Sequence, residues 1–148
     1  MKMECYDYDQ WRYCIKTIRV KSIERILDIA IALNKDKIYI QLIPCKIVLS
    51  KRLLRYSIEA SLEAHEHGIP IAKKMSMEIL LRLLAKRQIR DALSAIRNLS
   101  STEEEFWLVI VFKSNQVKIN QIIENLKQHF HETSRCEGDP KVIKEVYN

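Results

Sequence analysis

Two glycines in 148 residues remove one of the commonest ways a protein holds a nucleotide. A phosphate-cradling loop needs clustered glycines so that backbone N–H groups can converge on the anion, and Gly68 and Gly138 stand far apart. No nucleophile elbow and no carboxylate pair stands out, so nothing argues for an enzyme. No apolar run approaches the eighteen or so residues that span a bilayer. The opening MKMECYDYDQWRY lacks the apolar core of a secretory signal, so export is not expected and the cytoplasm is. Cysteine is sparse too. Cys5, Cys14, Cys45 and Cys136 are scattered without a CxxC, and they read as reduced cytosolic thiols, mostly structural. Cys45 beside Pro44 has the makings of a reactive thiol, but nothing in the sequence supplies it with a base. The two HxH pairs, His65 with His67 and His129 with His131, invite a metal reading. On a helix, though, residues two apart point away from each other, and no further ligands complete a site, so neither metal nor cofactor is expected.

With 47% hydrophobic and 30% charged residues the chain is globular, and its length suits a single domain over 1–148 with one sizeable core. WRYCIKTIRV (11–20) and KIYIQLI (37–43) alternate as strands do, and IVL (47–49) has the makings of a short third. FWLVIVF (106–112) is a continuous apolar run of strand length, the expected central strand. Ser22 caps a helix in which Ile23, Ile26, Leu27, Ala30 and Ile31 recur at helical spacing, and Ser50 caps another from Lys51 to about His65, stopped before Gly68. In that second helix Leu54, Ile58, Ser61 and Leu62 share one side.

MSMEILLRLLAKRQIRDAL (75–93) opens with a helix that Ser76 can cap, apolar nearly all round, with one polar stripe at Glu78, Arg82 and Lys86. A break near Lys86 and Arg87 precedes a second, amphipathic helix with Ile89, Ala92, Leu93 and Ile96. Ser114 is expected to open a helix with Ile119, Ile122, Ile123, Leu126 and Phe130 on one face. Asp139 and Pro140 form a cap and first-turn pair for a last helix bearing Val142, Ile143, Val146 and Tyr147. Strands separated by helices imply an α/β fold, a small mixed β-sheet of three to five strands packed with about six helices.

The net charge of +6 is concentrated. From Lys51 to Arg97 there are ten bases (Lys51, Arg52, Arg55, Lys73, Lys74, Arg82, Lys86, Arg87, Arg90, Arg97) against five acids, so this third of the chain carries +5. Lys51, Arg52 and Arg55 sit in the first turns of a helix, where the dipole disfavours cations by a few tenths of a kcal/mol. Helix stability does not explain them, and an anionic partner is one reading. No helix is both strongly basic and strongly amphipathic, which favours nucleic acid over a membrane surface. The competing reading is an ordinary solvated face.

AKKMSMEILLRLLAKRQIRDALSAI (72–96) resembles the signature region of the small kinase-binding subunit of the KEOPS (EKC) tRNA-modification complex, the TPRKB-type family. Ser76, Glu78, Ile79, Leu80, Gln88, Ile89 and Ala92 carry the match, while IQLIPCKIVLSKRLLRYSIEAS and DPKVIKEVY extend it over most of the chain. Ala85 and Arg97 stand where that family has glycines, which implies turns built differently here.

The resemblance implies a non-catalytic subunit with two partners, the small atypical kinase of the complex and tRNA, chiefly its 3′ CCA end. It also implies an indirect link to the threonylcarbamoyl-transferase subunit and a role in forming N6-threonylcarbamoyladenosine at position 37. The expected tRNA-binding residues are Lys51, Arg52, Arg55, Lys73, Lys74, Arg82, Lys86 and Arg87, with Met75 as an apolar neighbour. The expected kinase-binding residues are Val142, Ile143, Val146 and Tyr147. Two alternatives stay open at this point: a pure protein-interaction subunit without direct RNA binding, and an unrecognised small enzyme.

Overall fold

The computed structural model describes residues 2–70, 74–85, 90 and 105–147, the last three by backbone alone. The expected α/β class is borne out, with a five-stranded sheet and helices between its strands. The chain divides into two compact units, Met1–Leu42 with Glu104–Cys136, and Ile43–Glu103 with Glu137–Asn148. Among the described residues no helix is long and apolar enough to cross a membrane.

The first unit holds the sheet. Strand β1 (Glu4–Tyr8) turns through Asp9, at φ 54, into β2 (Trp11–Val20). Helix α1 (Ile23–Leu33) follows, then β3 (Tyr39–Pro44), β4 (Glu105–Lys113), α4 (Ile119–Lys127) and β5 (Phe130–Glu132). The strand order is β1-β2-β4-β3, with β5 also on β2. Strand β2 pairs antiparallel with β4 along its length, with β1 from Trp11 to Ile15, and with β5 from Ile18 to Val20. β1 and β5 thus share one edge of β2 end to end.

The β4 run is buried from Leu108 to Phe112, as its unbroken apolar sequence requires. Ile18, Ile26, Ile38, Leu108, Ile110, Leu126 and Phe130 meet in this unit's core. The Ser22 cap forms as expected, its Oγ accepting from Arg25 N at 3.4 Å. Ser114 does not open a helix: α4 begins at Ile119, and the Ser114 hydroxyl donates to Gln10 O at 3.0 Å instead. Phe130, expected on that helix, lies in β5.

The four cysteines correct the expectation of reduced thiols. Cys5 and Cys14 face each other in the β1–β2 register and are joined by a disulfide, and none of the four is a free thiol. Spacing in sequence carried no sign of this, because Cys5 and Cys14 become neighbours only through the register of a hairpin.

The second unit is helical. IVL is not a strand: Cys45–Ile47 make a single 3-10 turn that leads to Ser50 and α2 (Lys51–Glu66). Ser50 Oγ accepts from Leu53 N at 3.1 Å, the expected cap. Leu54, Ile58, Ser61 and Leu62 are buried together, and Ser57 and Ser61 turn their hydroxyls back onto the carbonyls of Leu53 and Ser57. Gly68 at φ 67 closes the helix: its N–H reaches His65 O and Ile69 N–H reaches Ala64 O, a complete Schellman motif.

Helix α3 (Met75–Leu83) packs on α2. Ser76 is not its cap; Lys74 takes that position and Met75 is the first helical residue. The all-round apolar pattern is confirmed, with Met75, Ile79, Leu80, Leu81 and Leu83 buried. Glu78, expected on a stripe reaching water, has 0% exposure. Ala85, expected to mark a differently built turn, sits at φ 55 and donates to Arg82 O as Gly68 donates to His65 O, so alanine takes the left-handed position that glycine holds after α2. Helix α5 (Pro140–Tyr147) starts at the expected Asp139–Pro140 pair, Asp139 Oδ1 accepting from Lys141 N at 3.0 Å. Of the helix expected over Ile89 to Ile96 only Arg90 is described, and it is helical; the rest, with the turn at Arg97, lies outside the described residues.

Candidate nucleic-acid and partner interface

The α2 cap sets the geometry of the basic cluster. Because Ser50 starts the helix, Lys51, Arg52 and Arg55 fall within its first turns, Lys51 and Arg52 exposed and Arg55 half-buried, while Leu54 and Ile58 are buried. Together with Tyr56 and Glu59 they line one open depression of about 320 Å³. Arg55 is steered by Glu59, Nη2 to Oε2 3.7 Å at i,i+4, while Tyr56 is 70% exposed. The phenol ring thus stands in water beside the three cations, with its face open to a planar partner. Phosphate oxygens fit the cations and a base face fits the phenol ring.

The other expected RNA contacts divide. Lys74 is exposed at the start of α3 and does not line the depression. Arg82 donates from Nε to Glu78 Oε2 at 2.7 Å, so part of its guanidinium is committed to a buried carboxylate. Lys73, Lys86 and Arg87 lie outside the described residues. Met75 is buried and cannot serve as the apolar neighbour of an RNA end.

His65, on the last turn of α2, adds to the Glu78–Arg82 group. Its Nε2 is buried without a hydrogen-bond partner among the described residues. Burial pushes its pKa below the usual imidazole value, with the Glu78 charge opposing and the Arg82 charge assisting. Its expected companion His67 turns instead to Glu63, Nε2 to Oε1 2.8 Å.

Tyr56 is the residue that sequence reading missed. It stands one position after Arg55 in a helix whose periodicity draws attention to Leu54 and Ile58. The available signal was a large aromatic between buried positions, on the side that helical periodicity assigns to the cations.

The last helix is held at its base. Asp139 N donates to Lys46 O at 3.1 Å, and Asp139 O accepts from Ile143 N at 2.9 Å. Val142 and Ile143 are half-buried, and the Ile143 Cδ1 lies 2.9 Å from where a Cβ on Gly138 would stand. The side chains of Val146 and Tyr147 lie outside the described residues.

No curated protein matches the chain. A family model does: that of kinase binding protein CGI-121, over residues 17–148, a span that takes in the sheet from the last residues of β2 onward, the basic helix α2 and the terminal helix α5. The α/β fold, the glycine-type turn at Ala85 and the capped terminal helix therefore sit in a matched region covering most of the sequence, and the chain belongs to the kinase binding protein CGI-121 family.

Proposed function

We propose that this protein is the non-catalytic kinase-binding subunit of a KEOPS complex and that it helps recruit tRNA by its single-stranded 3′ CCA end for threonylcarbamoylation of adenosine 37. The observation that carries the RNA part is the depression on α2, where Lys51, Arg52 and Arg55 stand around an exposed Tyr56. Cations that follow the backbone beside an aromatic platform are the two elements by which proteins hold unpaired nucleotides. A duplex offers phosphates but no free base face, so the aromatic favours an unpaired end.

In this reading the cations draw the acceptor end in and neutralise its phosphates, and Tyr56 stacks on one terminal base. Lys74 and Arg82, with Lys73, Lys86 and Arg87, would extend the electrostatic attraction to the acceptor stem. The kinase contact is assigned to α5 through Val142, Ile143, Val146 and Tyr147. Its Asp139–Pro140 start presents the helix already ordered, which lowers the entropic cost of docking. The threonylcarbamoyl-transferase subunit is reached only through the kinase.

Exchange of Tyr56 tests the RNA assignment. Loss of a stacking ring is worth about 1–3 kcal/mol per base, so Tyr56→Ala should bind a tRNA with a free 3′ end roughly tenfold or more weakly, while Tyr56→Phe keeps most of the affinity. Equal binding of tRNA with its 3′ end intact and with the CCA removed would overturn it.

A further inference from the structure

Exposed large apolar side chains are ordinary when they are scattered, and Leu49, Tyr56, Ile69 and Val117 fall on separate segments. Helix α1 is different. Ile23, Leu27 and Ile31 are 36%, 47% and 75% exposed. At i, i+4 and i+8 they share one side of the helix over about 12 Å, the most exposed residue at the C-terminal end. The helix is anchored without them: Ile26 is fully buried, and Ile29, Ala30 and Leu33 pack against the sheet core. Three apolar side chains in a row, none of them needed to dock α1, form a face that stays exposed among the described residues.

The charges beside the stripe limit what covers it. Glu24 and Asp28 each follow a stripe residue by one position and, being four apart, form an acidic edge along it. Arg25, the one cation in the α1 sequence, lies farther round at about 100° per residue. In a chain of net charge +6 this edge is a local reversal, and it repels phosphates. RNA is therefore the wrong occupant, and the basic helix of a second copy would join unlike surfaces head to tail, building a ring or a filament instead of the two-fold dimer that is commonest.

We infer that the Ile23–Leu27–Ile31 face is a protein-docking surface that takes an apolar groove rimmed by Lys or Arg, and that the groove belongs to the kinase this family binds. The inference rests on the kinase-binding reading above and adds to it a surface remote in sequence from α5. An amphipathic helix presenting i, i+4 and i+8 anchors to a groove is a recurrent recognition mode, and the acid edge would fix its register.

Affinity for the purified cognate kinase tests this, with melting temperature recorded for every variant. Leu27→Asp combined with Ile31→Asp should weaken binding by about a hundredfold or more, the loss typical of central anchors. Ile31→Asp alone, at the most exposed position, should cost about tenfold with the melting temperature within a couple of degrees of the parent. Glu24→Lys with Asp28→Lys should weaken binding at low salt, with the difference shrinking at high salt. Parental affinity in Ile31→Asp and in the charge-reversed variant would overturn the inference. If those variants bind normally while Val142→Asp does not, the kinase-binding reading survives and the α1 surface is wrong; if the parent chain binds no kinase, both fail.

Discussion

The Nε of Arg82 lies 2.7 Å from Oε2 of Glu78, one turn earlier on α3, and the carboxylate has no exposed surface. The favourable i,i+4 order was legible from spacing, but its depth was not. An exposed helix pair of this kind contributes about 0.3 kcal/mol, whereas a buried carboxylate depends on its donors for its solvation. Arg82→Met should therefore destabilise the protein at the lower end of the roughly 3–5 kcal/mol that breaking a buried pair costs, since the guanidinium itself is partly exposed. Urea unfolding measures this, and a loss below about 1 kcal/mol would mean the pair behaves as a surface contact.

His65 gives the same cluster a pH dependence. Its folded-state pKa is lowered by burial, so below about 6.5 the unfolded chain takes up a proton that the folded chain resists. This contribution to stability is intact above that pH and falls away as pH drops through it. Unfolding at pH 7.5 and 5.5 should show a larger loss for the parent than for His65→Gln. An NMR titration placing His65 at or above the usual imidazole value would contradict the geometry.

Ala85 occupies the left-handed region at φ 55, where a side chain costs about 1 kcal/mol. Ala85→Gly should relieve most of that and raise stability by about 0.5–1 kcal/mol. A destabilised variant would show that the alanine methyl packs more usefully than its backbone strain costs.

Gly138 is a different kind of glycine, required by proximity rather than by φ. A Cβ there would stand 2.7 Å from Val48 O, a backbone atom with little freedom to move, and 2.9 Å from Ile143 Cδ1. Gly138→Ala should loosen α5, costing about 1–3 kcal/mol as overpacking does. Hydrogen exchange localises the effect: faster exchange in residues 140–147 is expected, and unchanged protection there would refute it.

Cys5 and Cys14 close a short loop, nine residues apart in sequence. Thiol titration of the denatured, unreduced chain should find no free cysteine, and Cys5→Ser with Cys14→Ser should cost roughly 2–3 kcal/mol by the loop-closure relation. Detection of free thiols would return the chain to the reduced state that its scattered cysteines suggested.

Local signals carried much of the fold. The Ser22 and Ser50 caps, Gly68, the Asp139–Pro140 start and the apolar β4 run each declare themselves within a few residues, because a cap or a left-handed turn is decided by neighbours. Features decided at a distance were not legible. β1 is only five residues long and weakly buried, and β5 only three, so both exist through their pairing with β2. The α1 stripe reads in sequence like any core-facing helix, and only tertiary packing separates Ile26 from Ile31. For the site, charge density pointed to Lys51, Arg52 and Arg55, while Tyr56 needed the helix face to be known.

The central claim is that the α2 depression holds a single-stranded RNA end by its phosphates. Its most direct test is the salt dependence of tRNA binding by the parent and by the Lys51→Glu, Arg52→Glu, Arg55→Glu triple variant. Single-stranded phosphates contribute a slope of about −0.7 each in log affinity against log salt. Three such contacts therefore make the parent steeper by about 2. The account predicts that the folded triple variant binds more weakly and loses that part of the slope; an unchanged affinity and slope would contradict it.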